Sequence, residues 1–444
     1  MITITPLTRI EGHARITIRL DREGNVADAR LHVNSLRGFE QFVLGREAEE
    51  VIRIVTRICG ICPWMHHLAA VQAVEECFGV RPPPAAERLR ELCLLLAHVG
   101  DKILHFFFLA APDFLLTDSC RPRSAFALLQ KYPELGGEAV ATRRLAQEML
   151  ERVGGRAIHP VAAVAGGFSR PLAVRELPLL RKQARQLLDF SRRTLEFAGR
   201  EVFDKLPAGD RCLDRIRTGF LGLVDRRGRA QFYRGRLRLV DAAGMRSEEF
   251  APAEHGRFLA EARQPWSASG FPWASCWSSG FSLEDDNDGI YRVGPLARLN
   301  VAETLATPEA AAALDAFRSR FGRPVQETML GHWARLVELL HVTERIGLLL
   351  HRDDICDDAV WTAVRPGPGR GVGCVEAPRG TLIHEYETDE AGRISRADLL
   401  VATSHNNAAM NRSVRSAAAG LIRNGRYSEE ILGRIQMVVR AYDP

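Results

Sequence analysis

Two cysteines three positions apart, in Arg57-Ile-Cys-Gly-Ile-Cys-Pro-Trp-Met-His66, are the chain's most specific chemical feature. Thiolates at that spacing can face one ion, and Gly60 lets the backbone turn tightly enough for Cys59 and Cys62 to converge. The pair reads as half of a metal site. A redox dithiol and a zinc site share the spacing, which alone excludes neither. A thioredoxin-like pair would want a βαβ context that is missing here, and zinc would want two more ligands. No second Cys-x-x-Cys or His-x-x-x-His supplies them, and the other seven cysteines are isolated along the chain.

Further segments accompany the cysteines in a fixed order: Arg9-Ile-Glu-Gly-His13, Arg37-Gly-Phe-Glu40, His159-Pro160 with Gly166-Gly167, Tyr291-Arg-Val-Gly-Pro-Leu-Ala-Arg-Leu-Asn300, Glu376-Ala-Pro-Arg-Gly380 and Asp443-Pro444. Together they make the chain resemble the large subunit of nickel-iron hydrogenases, most of all the cytosolic bidirectional class coupled to NAD. The resemblance spans essentially all 444 residues, and several motifs in one order carry more weight than any single pattern.

The resemblance implies roles residue by residue. Cys59 would be a terminal nickel ligand and Cys62 a bridge between nickel and iron, soft thiolates suiting both metals. The iron would also hold carbon monoxide and cyanide, supplied by maturation proteins. Arg379 would stand above the metals beside Pro378, with Asp101 and Asp443 flanking it, and Thr403 would donate its hydroxyl to a cyanide. Glu11 would carry away the proton that heterolytic cleavage of H₂ leaves, as a carboxylate in a dry site can. Glu40, with a backbone carbonyl near Leu400, would hold a magnesium-like ion, since a hard cation wants oxygen. His66, four residues after Cys62, would be a donor behind the ligands. Each has a plainer structural reading: a surface salt bridge for Arg379, a hairpin cap for Glu11, a turn residue for Thr403, a helix-surface charge for Asp101, a core histidine for His66.

The implied partners are an iron-sulfur small subunit, because this chain lacks the cysteines for a cluster, and a flavin-containing diaphorase leading to NAD. The implied alternative is a metal-free structural subunit of a redox complex. The family's closing motif, Asp-Pro-Cys-x-x-Cys-x-x-His, supplies the other half of the metal site, and the sequence stops at its Asp443-Pro444. Some members carry selenocysteine (the NiFeSe form) at the first of those cysteines, encoded by UGA. A UGA codon after Pro444 is therefore expected, against a cut chain or a metal-free paralogue, and the 444 residues alone are expected to be inactive.

The elements that must position these residues are legible in the periodicity. Residues 1–33 alternate as an antiparallel hairpin, with Ile16, Ile18 and Leu20 on one face and a turn at Asp21 to Asn25. Residues 86–206 are a long-helix region, with one stripe running through Leu89, Leu92, Leu96, Val99, Ile103 and Phe106, and a second helix from about Leu179 to Leu206. Residues 211–300 form a mixed lobe with a strand-like patch at Gln231 to Val240. In the last part, 301–444, Thr307-Pro308 reads as a helix start with a hydroxyl cap, followed by a helix near Trp333 to Leu350. Val364 to Gly373 reads as a turn-rich approach, then come a hairpin, Thr381 to Tyr386 with Ile394 to Val401, and two short helices. The expected fold is mainly α with small β decorations (α+β), a single hydrogenase large-subunit body around a central long-helix bundle.

Composition bounds the rest. With 46% hydrophobic and 26% charged residues the chain is neither disordered nor fibrous. The net charge of +5 does not mark a nucleic-acid binder: only Lys102, Lys131, Lys182 and Lys205 are lysines, and arginines are spread throughout beside 55 acids. Nine cysteines are too few for a disulfide scaffold. No export signal and no uncharged apolar run of membrane-spanning length is read, the longest lying around Phe106 to Pro112. A soluble cytoplasmic protein is expected.

Overall fold

The structure, a computed structural model, describes the chain except residues 36–37, 117–122, 207–208, 210–211 and 285–287, so Arg37 lies outside the described residues. The N-terminal alternation builds the hairpin Ala14–Leu20 with Val26–Val33, and a short strand, Ile2–Ile4, adds to its outer edge. Asp21 closes the turn by accepting the N–H groups of Glu23 and Asn25, and Gly24 takes the left-handed conformation there. Ile16 and Ile18 are buried against the two closing helices, Ala402–Leu421 and Glu429–Tyr442. These helices are longer than the sequence suggests.

The main core is a set of long helices. Gly331–Leu350 packs on both Leu177–Ala198 and Pro84–Ile103, and the last of these packs on Pro133–Gly154. Pro63–Cys77 is buried on every face but that of Glu76, which fits a helix apolar all round. The apolar stripe beginning at Leu89 continues past Ile103 into a π-helical stretch, Leu104–Ala110. The whole run Pro84–Leu115 is long and apolar enough to cross a bilayer by length and composition, although it is interrupted by charges and is not an uncharged run. Yet 72% of its most apolar window is buried in the protein, and Arg90, Asp101 and Lys102 on it pair with buried acids or an arginine, so it is a core helix.

Two small sheets frame the bundle. One runs Tyr291–Arg292, Gly219–Val224, Arg236–Val240, Ser247–Phe250, its first pair parallel. The other is the antiparallel meander Gly369–Ala377, Gly380–Thr388, Ile394–Leu400. The first of its strands corrects the turn-rich reading of Val364 to Gly373. Gly369, Gly371 and Gly373 alternate along a strand, and a Cβ on them would fall 2.0, 2.1 and 1.8 Å from the carbonyl oxygens of Cys77, Ala73 and Ala69. The glycines let sheet backbone lie directly on helix Pro63–Cys77.

Thr307 is also corrected. The helix does start at Pro308, but the Thr307 hydroxyl pairs with Nδ1 of His341 (2.9 Å). The open N–H groups of Glu309 and Ala310 are taken by the Glu344 carboxylate of the neighbouring helix, at 3.1 and 2.8 Å.

Candidate metal centre

Segments far apart in sequence meet around a cavity of about 400 Å³ lined by Glu11, Cys59, Cys62, His66, Arg379, Thr403 and Pro444, among others. The cysteines occupy the turn entering helix Pro63–Cys77, where Cys62 is the N-cap and Pro63 takes the first helical position. Their sulfurs are joined as a disulfide, with Cα atoms 5.5 Å apart, so they converge as the spacing implies. To serve as ligands they must be reduced.

Glu11 comes from the loop between the first two strands. Its Oε1 accepts the Gly60 N–H at 3.1 Å, and its Oε2 lies 3.4 Å from Sγ of Cys59 and 3.7 Å from Nη2 of Arg379. It does not cap the hairpin. Nor is its setting dry: the side chain is 30% exposed, at the mouth of the cavity.

Arg379 sits at the tight turn joining Gly369–Ala377 to Gly380–Thr388. Its Nη1 reaches Asp101 at 3.3 Å and its Nη2 reaches Asp443 at 3.4 Å, all three buried. Burial opposes its charge, but Asp101, Asp443 and Glu11 together raise its pKa above the ordinary arginine value. The two acids shift the opposite way, toward their neutral forms. Burial pushes Asp101 up to about 6 despite Arg379, with Asp443 adding to the rise, and burial raises Asp443 as well.

The Arg379 turn rests on a second buried charge network that sequence reasoning did not single out. Arg298 donates to the carbonyls of Ala377 (3.0 Å) and Pro378 (3.3 Å), to Glu376 (2.7 Å), and to both oxygens of Glu338 (2.6 and 2.8 Å). Lys102 closes on Glu338 at 2.6 Å. Burial works against the Glu338 charge, yet Arg298 and Lys102 hold its carboxyl well below the usual range. The available signal was Arg298's place in the Tyr291 to Asn300 motif. Gly294, at φ +100, lets that motif's backbone approach the Arg379 carbonyl, where a Cβ would be 2.8 Å away.

The remaining expected residues fall around this centre. Thr403 stands in the first turn of Ala402–Leu421 and lines the cavity. Glu40, on Phe39–Phe42, also lines it and accepts the Leu399 N–H at 3.3 Å, next to Leu400. Pro378 turns its carbonyl to Arg298. His66 is buried on the cavity wall and bonded to His384.

The donors suit one side of a thiolate-held metal pair: two soft sulfurs, a guanidinium whose Nε has no partner among the described residues, and a threonine hydroxyl. Among the described residues, no group of three or more His, Cys, Asp or Glu is placed to hold a metal by itself. The chain therefore fits such a group as a half-site.

Residues 37–132 match the family described as nickel-dependent hydrogenase, and residues 1–36 the one described as HoxL-like. The vhu-encoded F420-non-reducing hydrogenase of Methanocaldococcus jannaschii has a chain 41% identical to this one, over 94% of this chain and 98% of its own. The beta chain of the NAD-reducing hydrogenase HoxS from Cupriavidus necator is 34% identical, over 100% and 93%. A crystal structure of an NAD⁺-reducing [NiFe]-hydrogenase in the H₂-reduced state superposes with a TM-score of 0.93 at 37% identity, covering 100% of this chain and 97% of that one. The Ni-Fe-Se hydrogenase of D. vulgaris Hildenborough shares the fold, at a TM-score of 0.80 and 24% identity, over 100% of this chain and 98% of its own. The fold is that of a hydrogenase large subunit. This chain belongs to the nickel-dependent hydrogenase family.

Proposed function

We propose that this chain is the catalytic subunit of a nickel-iron hydrogenase, H₂ ⇌ 2H⁺ + 2e⁻. The observation that carries the reading is the meeting of Cys59 and Cys62 with Glu11 and Arg379 at one cavity, with Asp101 and Asp443 bracing the arginine. Cys59 and Cys62, reduced, would hold a nickel-iron group whose iron carries carbon monoxide and cyanide. That group supplies the heterolytic splitting of H₂ and the transfer of its electrons.

The protein's own part is positioning and proton handling. Glu11 lies against Cys59 and opens toward solvent, so it can take a proton from the sulfur side and release it outward. Arg379, held from behind by Asp101 and Asp443, presents fixed N–H donors to a cyanide and a fixed cation beside the site where H₂ reacts. Thr403 offers a hydroxyl to the same cavity, and Glu40 would hold a magnesium-like ion beside the Leu399–Leu400 backbone.

Electrons would leave through an iron-sulfur small subunit, because the free cysteines Cys77, Cys93, Cys212, Cys276, Cys356 and Cys374 are scattered among different elements. A flavin-containing diaphorase and NAD are the proposed onward route, maturation proteins the source of the iron ligands, and the cytoplasm the compartment. Exchange between H₂ and deuterated water, catalysed by the assembled complex, tests the reading. It should vanish in Cys59→Ala and in Cys62→Ala, and undiminished exchange in either variant would contradict it.

A further inference from the structure

His66 belongs to a hydrogen-bonded chain that ends inside the protein. Its Nδ1 meets Nε2 of His384 at 3.1 Å, and Nδ1 of His384 meets the Tyr386 hydroxyl at 2.7 Å. All three residues are buried. His384 and Tyr386 stand two apart on strand Gly380–Thr388 and so share a face, with His66 on the helix packed against that sheet.

The polarity of this chain follows from its end. Among the described residues, the Tyr386 hydroxyl has His384 as its hydrogen-bond partner and no other. If it accepted there, its own proton would be buried unpaired, so it donates. A neutral His384 that receives on Nδ1 carries its proton on Nε2. That proton goes to Nδ1 of His66, which leaves the His66 proton on Nε2, the ring edge turned away from His384. Burial keeps both rings neutral near pH 7, driving His66 down to about 3 and His384 well below its ordinary value.

We propose that Tyr386 and His384 are positioning residues that lock His66 in its Nε2–H tautomer, so that the cavity wall beside Cys59 and Cys62 presents a fixed N–H donor. Its acceptor would be an anion in the cavity, a thiolate sulfur or a metal-bound ligand. That use rests on the nickel-iron reading, whereas the tautomer does not.

The test is ¹H–¹⁵N correlation spectroscopy on the full chain labelled at histidine, with His66→Gln to assign the His66 signals. The wild type should show a proton on Nε2 and a bare Nδ1. Tyr386→Phe should turn this into a mixture of tautomers. His384→Gln, whose amide N–H can replace the imidazole N–H, should keep Nε2–H, whereas His384→Leu should release it. These two variants decide the matter if Tyr386→Phe does not fold. A proton on Nδ1 in the wild type would overturn the proposal, as would an unchanged spectrum in Tyr386→Phe or His384→Leu. Because the signal is read without metal, a failure of the nickel-iron reading would show separately, in metal content.

Discussion

The carboxylate of Glu11 stands with Oε2 3.4 Å from the sulfur of Cys59, close enough to exchange a proton with it, while 30% of its side chain meets solvent. Glu11→Gln keeps the shape and the Gly60 contact but cannot carry a proton. We expect H₂/D₂O exchange to fall by about 10²-fold or more with nickel and iron content unchanged. Exchange at the wild-type rate would return Glu11 to a purely structural role.

Arg379→Lys retains a cation opposite Asp101 and Asp443, but one ammonium cannot reproduce a planar fork that gives each acid its own nitrogen. Hydrogen uptake should drop by about 10²-fold while metal content is kept. Near-normal uptake would remove the guanidinium from the reaction.

Asp101 makes a pH dependence measurable. Its pKa is raised in the folded protein from 3.8 to about 6, chiefly by burial. Over that interval the folded state holds a proton that the unfolded chain has released. The stability it contributes is complete below about pH 4 and is lost as pH rises through about 6. Asp101→Asn cannot ionise, so between those values its urea midpoint should fall less steeply with pH than the wild type's. Parallel slopes would show that Asp101 does not titrate there.

Much of this site was legible because its chemistry is concentrated in short motifs: the convergence of Cys59 and Cys62 follows from local spacing, and the hairpin around Ile16 and Ile18 from alternation. What escaped depends on tertiary context. Arg298 and Glu376 stand inside motifs that give them no role, Lys102 and Glu338 look like ordinary helix charges, and only the packing of distant elements makes the four one buried network holding the Arg379 turn. The glycines from 369 to 373 read as a turn because glycine usually marks one, whereas here they admit a helix against a strand. Thr307 has the chemistry of a cap, but a carboxylate from another helix took the position.

Gly373→Ala tests that close approach. The added methyl would collide with the Ala69 carbonyl, a backbone atom that cannot rotate away. Destabilisation of about 1–3 kcal/mol or more is expected from urea unfolding. A midpoint within error of the wild type would mean that strand and helix separate more easily than their packing implies.

The central claim is that Cys59 and Cys62 are ligands of a nickel-iron group, and the metal content of the complex, purified from cells that also make its partner and maturation proteins, tests it most directly. The account predicts nickel, and an equal amount of iron beyond that in the partner's iron-sulfur clusters, both lost from the Cys59→Ser, Cys62→Ser double variant. Zinc in their place, or a fully assembled wild-type complex that carries no nickel, would contradict it.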